Sequence, residues 1–153
     1  LSELVEVSDV VVDTTGSHVV TRITHRETSL AGKPLVSAAL SVGGYGGRVV
    51  VLRGPSPCFD CFLEHPQIPR PEEGPSEGWT PYGCSHPAAS CAGFDVAELA
   101  AITARTIVHA TERTDYAHLN YDWAVVNFRS SQDRWREGSL EPFRGCRWCG
   151  GNG

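Results

Sequence analysis

An α/β fold closed at one end by a metal clasp is what this chain predicts, and three observations carry the prediction. Strand-like and helix-like runs alternate within the first fifty-odd residues. A long helical pattern follows a proline-rich stretch and leads into further strand-like runs. Two Cys-x-x-Cys pairs, Cys58/Cys61 and Cys146/Cys149, stand far apart in the sequence and together supply the four thiolates of a closed tetrahedral zinc site.

Asp9 to Thr15 (DVVVDTT) is a β-branched apolar run ending at Gly16, the pattern of a buried strand in a parallel sheet. Ser17 is a helix cap for a segment running to about Ala31, with Val19, Val20, Ile23 and Leu30 as its apolar positions and Gly32 as its stop. Pro34 to Val42 reads as a second strand, the glycine-rich stretch 43–47 as a turn, and Arg48 to Arg53 as a third strand. Strand, helix and strand so close together form a β-α-β unit. Residues 55–93 are a crossover loop rich in proline, a length that signals either function or disorder, and the first cysteine pair at its start argues against disorder throughout. A helix is predicted over 94–113, opened by a capping box of Asp95 and Glu98, with Val96, Leu99, Thr103, Ile107 and Ala110 at helical spacing. Residues 114–150 hold two short strands, Tyr121 to Phe128 and Ser139 to Phe143, and then the tail carrying the second cysteine pair.

The 153 residues have the size of one domain or of a piece of a larger one, and methionine is absent throughout, which reads as a segment of a longer open reading frame. A net charge of −5 without a basic cluster argues against a nucleic-acid partner. No apolar run is long enough for a membrane helix, and the N-terminus lacks the features of a signal peptide. Six cysteines without such a signal point to the reducing cytoplasm, where Cys-x-x-Cys pairs serve as metal ligands or redox groups. Neither pair is expected at a helix N-terminus, which disfavours a thioredoxin-like dithiol. Four cysteine ligands leave no open position, so the zinc is read as structural, and its chelation is expected to loosen loop and tail without unfolding the sheet.

Cys84 and Cys91 remain, both just before the helix at Asp95. A helix dipole, and His86 beside Cys84, would favour the thiolate and so a nucleophile. The alternative is that each is an ordinary buried cysteine, and that His86 is a loop histidine.

Pro34 to Leu52 (PLVSAALSVGGYGGRVVVL), followed by Pro57-Cys-Phe-Asp-Cys61 and closed by Cys146 to Cys149, resembles the ThiF/MoeB/HesA family of adenylyltransferases, relatives of the ubiquitin-activating enzymes. The opening Asp9 to His18 is similar to that family's strand leading to the nucleotide site. The resemblance implies the C-terminal half of a Rossmann-like adenylation domain with a structural four-cysteine zinc site. It implies ATP and magnesium as cofactors of the complete domain, a ubiquitin-like or sulfur-carrier protein as partner, and a homodimer. Many members pass the acyl group to a loop cysteine as a thioester. The Cys84-Ser-His-Pro87 context, with Gly93-Phe-Asp95 beyond it, favours Cys84 for that role, whereas Cys91 matches the Ser-Cys-Ala context of other members.

Two departures from the family pattern stand out. The Gly-x-Gly-x-x-Gly phosphate loop belongs to an N-terminal half that this sequence lacks. Thr15-Gly16-Ser17 replaces Thr-Asp-Asn, removing the aspartate that meets Mg-ATP in the family and leaving Asp13 as the nucleotide-site candidate. Arg22 stands where the family often has arginine, and reads as a solvated or structural helix residue. A degenerate dimerisation or docking module, and a redox protein using one cysteine pair, are the competing readings.

Overall fold

A computed structural model describes residues 1–74, 79–81, 87–89, 92–111 and 121–150, with backbone alone at 79–81 and 87–89. Its helices are α1 (Ser2–Glu6), α2 (His18–Leu30), α3 (Phe59–Glu64) and α4 (Gly93–Ala110). Its strands are β1 (Val11–Asp13), β2 (Leu35–Leu40), β3 (Gly46–Leu52), β4 (Trp79–Pro81), β5 (Pro87–Ala89), β6 (Trp123–Asn127) and β7 (Trp135–Gly138). Five strands form one mixed sheet in the order β1-β2-β3-β6-β7, and β4 pairs with β5 in a separate antiparallel ribbon. Parallel β1 and β2 are joined through α2, as the β-α-β pattern predicts, and every later pairing in the main sheet is antiparallel.

Strand side chains alternate between faces, and the alternation builds two cores. Val36, Ala38, Val49, Val51 and Val126 meet Leu99 and Ala110 of α4. Leu35, Val50, Leu52, Trp123 and Val125 meet α3 and three of the clasp cysteines. Arg48 lies two residues before Val50 and so shares this second face, a charge among apolar neighbours.

Several elements depart from expectation. β1 is three residues long and has a single partner in the sheet, so Val12 is 41% exposed rather than buried. α1, not anticipated, buries Val5 and ties Ser2 to Glu27 of α2. α2 covers the expected span, but its apolar positions face outward: Val19, Val20, Ile23 and Leu30 are exposed. The buried positions are Thr21, Thr24, His25 and Thr28, spaced as one helical face. Three of them are bonded within the fold: the Thr21 hydroxyl donates to Asp13, the Thr28 hydroxyl donates to the His25 carbonyl, and His25 Nε2 lies 2.9 Å from the Gly54 carbonyl. Because those groups are satisfied within the fold, threonines can face the sheet without stranded hydroxyls.

α4 begins at Gly93 with Ala92 as its cap, so Asp95 is a buried first-turn residue and the expected capping box does not form. The predicted strand at 139–143 is absent. The last described strand is β7, four to five residues earlier in the chain, and its exposed edge carries no apolar alternation to reveal it. Gly138 lets the Trp123 ring lie directly on β7, since a Cβ there would stand 2.8 Å from the ring.

The first half of the crossover loop is anchored. Ser41 donates to the Glu72 carbonyl, the Glu72 N–H donates to Asn127 Oδ1, and the Gly74 N–H donates to the Val42 carbonyl. Gly43 has φ +74°, and a Cβ there would stand 2.8 Å from the Gly74 backbone, so glycine is needed for conformation and space alike. The loop therefore forms one wall of a cavity over the ends of β2 and β3.

Candidate metal clasp and the adjoining cavity

Cys58 and Cys61 reach the same point as Cys146 and Cys149 because α3 leads away from β3 while the tail returns under it. All four sulfurs lie within 4.8 Å of one another. Adjacent distances are 3.8 Å for Cys58–Cys61, 3.5 Å for Cys58–Cys146 and 3.4 Å for Cys61–Cys149. A zinc–sulfur bond of about 2.3 Å places tetrahedral sulfurs about 3.8 Å apart, whereas a disulfide needs about 2.05 Å. The donor set therefore fits a four-thiolate zinc ion and excludes disulfide pairing.

Burial pushes the Cys58 and Cys61 thiols up, so without a cation they keep their protons. The Phe143 N–H points at Cys61 Sγ at 3.4 Å, a donor placed to support a thiolate there.

Cys58 is the N-cap of α3, so the expectation that neither pair sits at a helix start does not hold for the first pair. The convergence of all four sulfurs, rather than position in the chain, is what separates this cluster from an isolated dithiol. Cys58, Cys61 and Cys146 are 5%, 0% and 3% exposed and share a core with Leu35, Val50 and Leu52 of the sheet. The clasp is thus part of the sheet's packing, and not a tether confined to loop and tail.

The residues inside each Cys-x-x-Cys carry the contact outward. Asp60 is buried and accepts from Arg22 Nε at 3.0 and 3.1 Å and from Nη2 at 2.6 Å. The Arg22 guanidinium also lies 5.5 Å from the centre of the Trp148 ring, so both pairs grip one residue of α2. The Asp60 carboxylate raises the Arg22 pKa further. This structural role for Arg22 agrees with the helix-residue reading of the sequence. Phe59, fully buried, carries the Arg48 guanidinium on its ring at 5.4 Å and meets the His18 ring edge-on at 5.6 Å.

Asp13 is buried at the end of β1. Its Oδ1 accepts from the Thr15 N–H and hydroxyl at 2.9 and 2.7 Å, and its Oδ2 accepts from the Thr21 hydroxyl at 2.5 Å. Burial works to raise its pKa, but those three bonds and the charge of Arg48 outweigh it and hold the carboxylate below its usual range. The arrangement fixes the β1–α2 turn. Gly16 follows with φ +71° and, with His18 and Arg48, borders the cavity of about 440 Å³ under the crossover loop.

Cys84, Cys91 and His86 lie outside the described residues. Sequence reasoning missed Asp60, Trp148 and Arg48. The first two sit inside the cysteine motifs, where their position was the available signal. Arg48 looked like an ordinary strand start, and only its period-2 relation to Val50 and Leu52 marks it as inward-facing.

No protein-family model matches the sequence, and no curated protein matches it. Among solved structures the chain shares its fold with E. coli MccB. The match to MccB with selenomethionyl MccA has a TM-score of 0.55 at 14% identity, covering 97% of this chain and 42% of that one. MccB with a succinimide gives 0.55 at 14% identity over 99% and 43%. MccB with AMPCPP and selenomethionyl MccA gives 0.54 at 15% identity over 97% and 42%. The chain thus spans about two-fifths of the length of the solved chains it matches. No described helix is long and apolar enough to cross a membrane.

Proposed function

We propose that this chain is the C-terminal part of a ThiF/MoeB/HesA-type adenylyltransferase, held together by a structural zinc ion on Cys58, Cys61, Cys146 and Cys149. The observation that carries the reading is the clasp itself. Two cysteine pairs 88 residues apart meet in one cluster with all four sulfurs within 4.8 Å of one another, in the order the family resemblance implies, on a fold shared with MccB. That MccB has been solved with the nucleotide analogue AMPCPP and with MccA supports nucleotide and peptide sites in the complete protein.

In this reading the larger protein uses ATP and magnesium to adenylate the C-terminal carboxylate of a ubiquitin-like protein, a sulfur carrier or a peptide. ATP supplies the adenylyl group and pyrophosphate leaves. Cys84, or Cys91 in its place, then attacks the activated carbonyl: a sulfur–carbon bond forms, the carbon–oxygen bond to phosphate breaks, and AMP departs. A mixed anhydride needs a positioned thiolate more than a strong base. Asp13 acts from behind the site by holding the β1–α2 turn. The complete protein works as a homodimer in the cytoplasm.

Mass spectrometry of the full-length protein with ATP and carrier tests the reading. A hydroxylamine-sensitive adduct lost in Cys84→Ala is expected, while this chain alone should show no ATP–pyrophosphate exchange. Exchange by the isolated chain, or no adenylate from the full-length protein with any carrier, would refute it. A docking module is the second reading, favoured by the outward apolar face of α2 at Val19, Ile23 and Leu30. A full-length protein that binds a carrier without consuming ATP would select it.

A further inference from the structure

The four clasp sulfurs are alike in chemistry and unlike in access. Cys58, Cys61 and Cys146 are buried, whereas Cys149 is partly exposed. Its neighbours Trp148 and Gly150 both face solvent. On the loop side, the hydroxyl of the exposed residue Ser56 stands 3.6 Å from Cys149 Sγ. Cys149 therefore sits at the rim of the clasp, with three sulfurs behind it packed into the core of the sheet. A polar reagent from solution meets Cys149 first, since reaching the others requires the core to open.

Directly behind Cys149 lies a second sulfur. Cys61 Sγ is 3.4 Å away, closer than Cys58 stands to Cys146 (3.5 Å) or to Cys61 (3.8 Å). The four-thiolate arrangement holds no disulfide as it stands, and a bridge would need the sulfurs to close to about 2.05 Å. Cys61 is fixed: it belongs to α3, and the Phe143 N–H points at its sulfur at 3.4 Å. Cys149 is on the side that can give, in a turn where the Gly150 N–H donates to the Cys146 carbonyl at 3.2 Å. Bound zinc keeps its cysteine ligands as thiolates, the form of the sulfur that acts as a nucleophile.

We propose that Cys149 is a modification site at which a hydroperoxide converts the zinc clasp into a Cys61–Cys149 disulfide. The Cys149 thiolate attacks the terminal peroxide oxygen. A sulfur–oxygen bond forms, the oxygen–oxygen bond breaks, and an alkoxide leaves (hydroxide, for hydrogen peroxide), giving a sulfenic acid. The Cys61 thiolate then attacks Cys149 Sγ: a sulfur–sulfur bond forms, the sulfur–oxygen bond breaks, and hydroxide leaves. Two electrons pass from the two sulfurs to the peroxide, and zinc departs with half its ligands gone. The disulfide joins the same two segments, 88 residues apart, that the metal joined. The loop between α3 and the tail stays closed while the metal is lost. The inference rests on the zinc reading of the clasp and is independent of the adenylation reading.

Treating the zinc-loaded chain with hydrogen peroxide tests it, with zinc release followed by a chromogenic chelator and the cysteines mapped by mass spectrometry after alkylation. Each zinc released should be matched by one linked Cys61–Cys149 peptide, and a thiol reductant with added zinc should reverse both. A Cys84→Ser, Cys91→Ser chain should give the same map, which keeps the two cysteines outside the clasp from supplying the link. Limited alkylation of the zinc-loaded chain should reach Cys149 before the other three ligands. In urea the oxidised chain should unfold at a midpoint nearer that of the zinc-loaded chain than that of the chelated one. Cys149→His offers zinc a nitrogen ligand in place of the sulfur, and should keep its zinc at the peroxide dose that empties the wild type. If that variant loads no zinc, the wild-type map decides alone. Zinc loss at the same rate without peroxide, a main product linking any other two cysteines, first alkylation at Cys58, Cys61 or Cys146, an oxidised chain that unfolds like the chelated one, or equal zinc loss from a loaded Cys149→His would overturn the proposal. A wild-type chain that binds no zinc at the outset would sink the metal reading and this inference together, whereas the other outcomes sink this inference alone.

Discussion

Stripping the metal from the cysteine clasp should weaken the whole sheet. Each cross-chain sulfur pair is 88 residues apart, and a metal joining them closes the loop that a disulfide would close. Loop-closure entropy for that length contributes about 4–5 kcal/mol in the chain-entropy model. A domain's entire stability is about 5–15 kcal/mol, so the loss is a large share of the total. The packing gives the loss a path, because Cys58, Cys61 and Cys146 share a core with Leu35, Val50, Leu52 and Trp123. The assay is urea unfolding of the zinc-loaded and chelated chain, followed by tryptophan fluorescence and far-ultraviolet circular dichroism together. With a urea slope of about 2 kcal/mol per molar, the midpoint should fall by about 2 M. Both signals should move together, since Trp123 belongs to the sheet. Equal midpoints for the zinc-loaded and the chelated chain, in a chain that binds one zinc before chelation, would refute the reasoning. A fall confined to fluorescence would show that the clasp governs only loop and tail.

Three further outcomes follow from the same contacts. Arg22→Gln and Asp60→Asn should each destabilise the chain, and a double-mutant cycle should show about 2 kcal/mol of coupling, discounted for the partial exposure of Arg22; additive effects would remove Arg22 from the clasp. His25 is held below its ordinary pKa by burial, against opposing effects of the Gly54 carbonyl and Asp60, so its stabilising contribution is complete above about pH 6.5 and is lost as pH falls toward its folded value. His25→Gln should flatten that slope in pH-dependent urea melts, with His18, shifted the same way, retaining its share; an unchanged slope would refute the assignment. Gly43→Ala, at φ +74° and against Gly74, should cost about 1–3 kcal/mol and expose the crossover loop to proteolysis near residue 72, whereas a neutral variant would free that loop from the turn.

The sequence was most legible where the chemistry is local. Cysteine spacing named the four cysteines whose sulfurs converge, and apolar, β-branched runs located β1, β2, β3 and β6, because cysteine pairing and strand patterning are short-range signals. It misread α2, whose apolar positions face outward while threonines face the sheet. Periodicity reports which residues share a face but not which face the rest of the protein covers. β7 escaped because an exposed edge strand needs no apolar alternation.

What the chain determined by itself was therefore the inventory: an α/β order of elements, four cysteines that could hold one zinc ion, and two further cysteines. What only the tertiary structure decided was the partnership among distant residues. It put Asp60 and Trp148 against Arg22, set the Thr21 hydroxyl of α2 on Asp13 of β1, and left the Arg48 edge without an acceptor among the described residues. The physical reason is that each is a contact between side chains on different elements. Such contacts are set by how strand faces and helix ends meet, and sequence spacing does not encode that meeting.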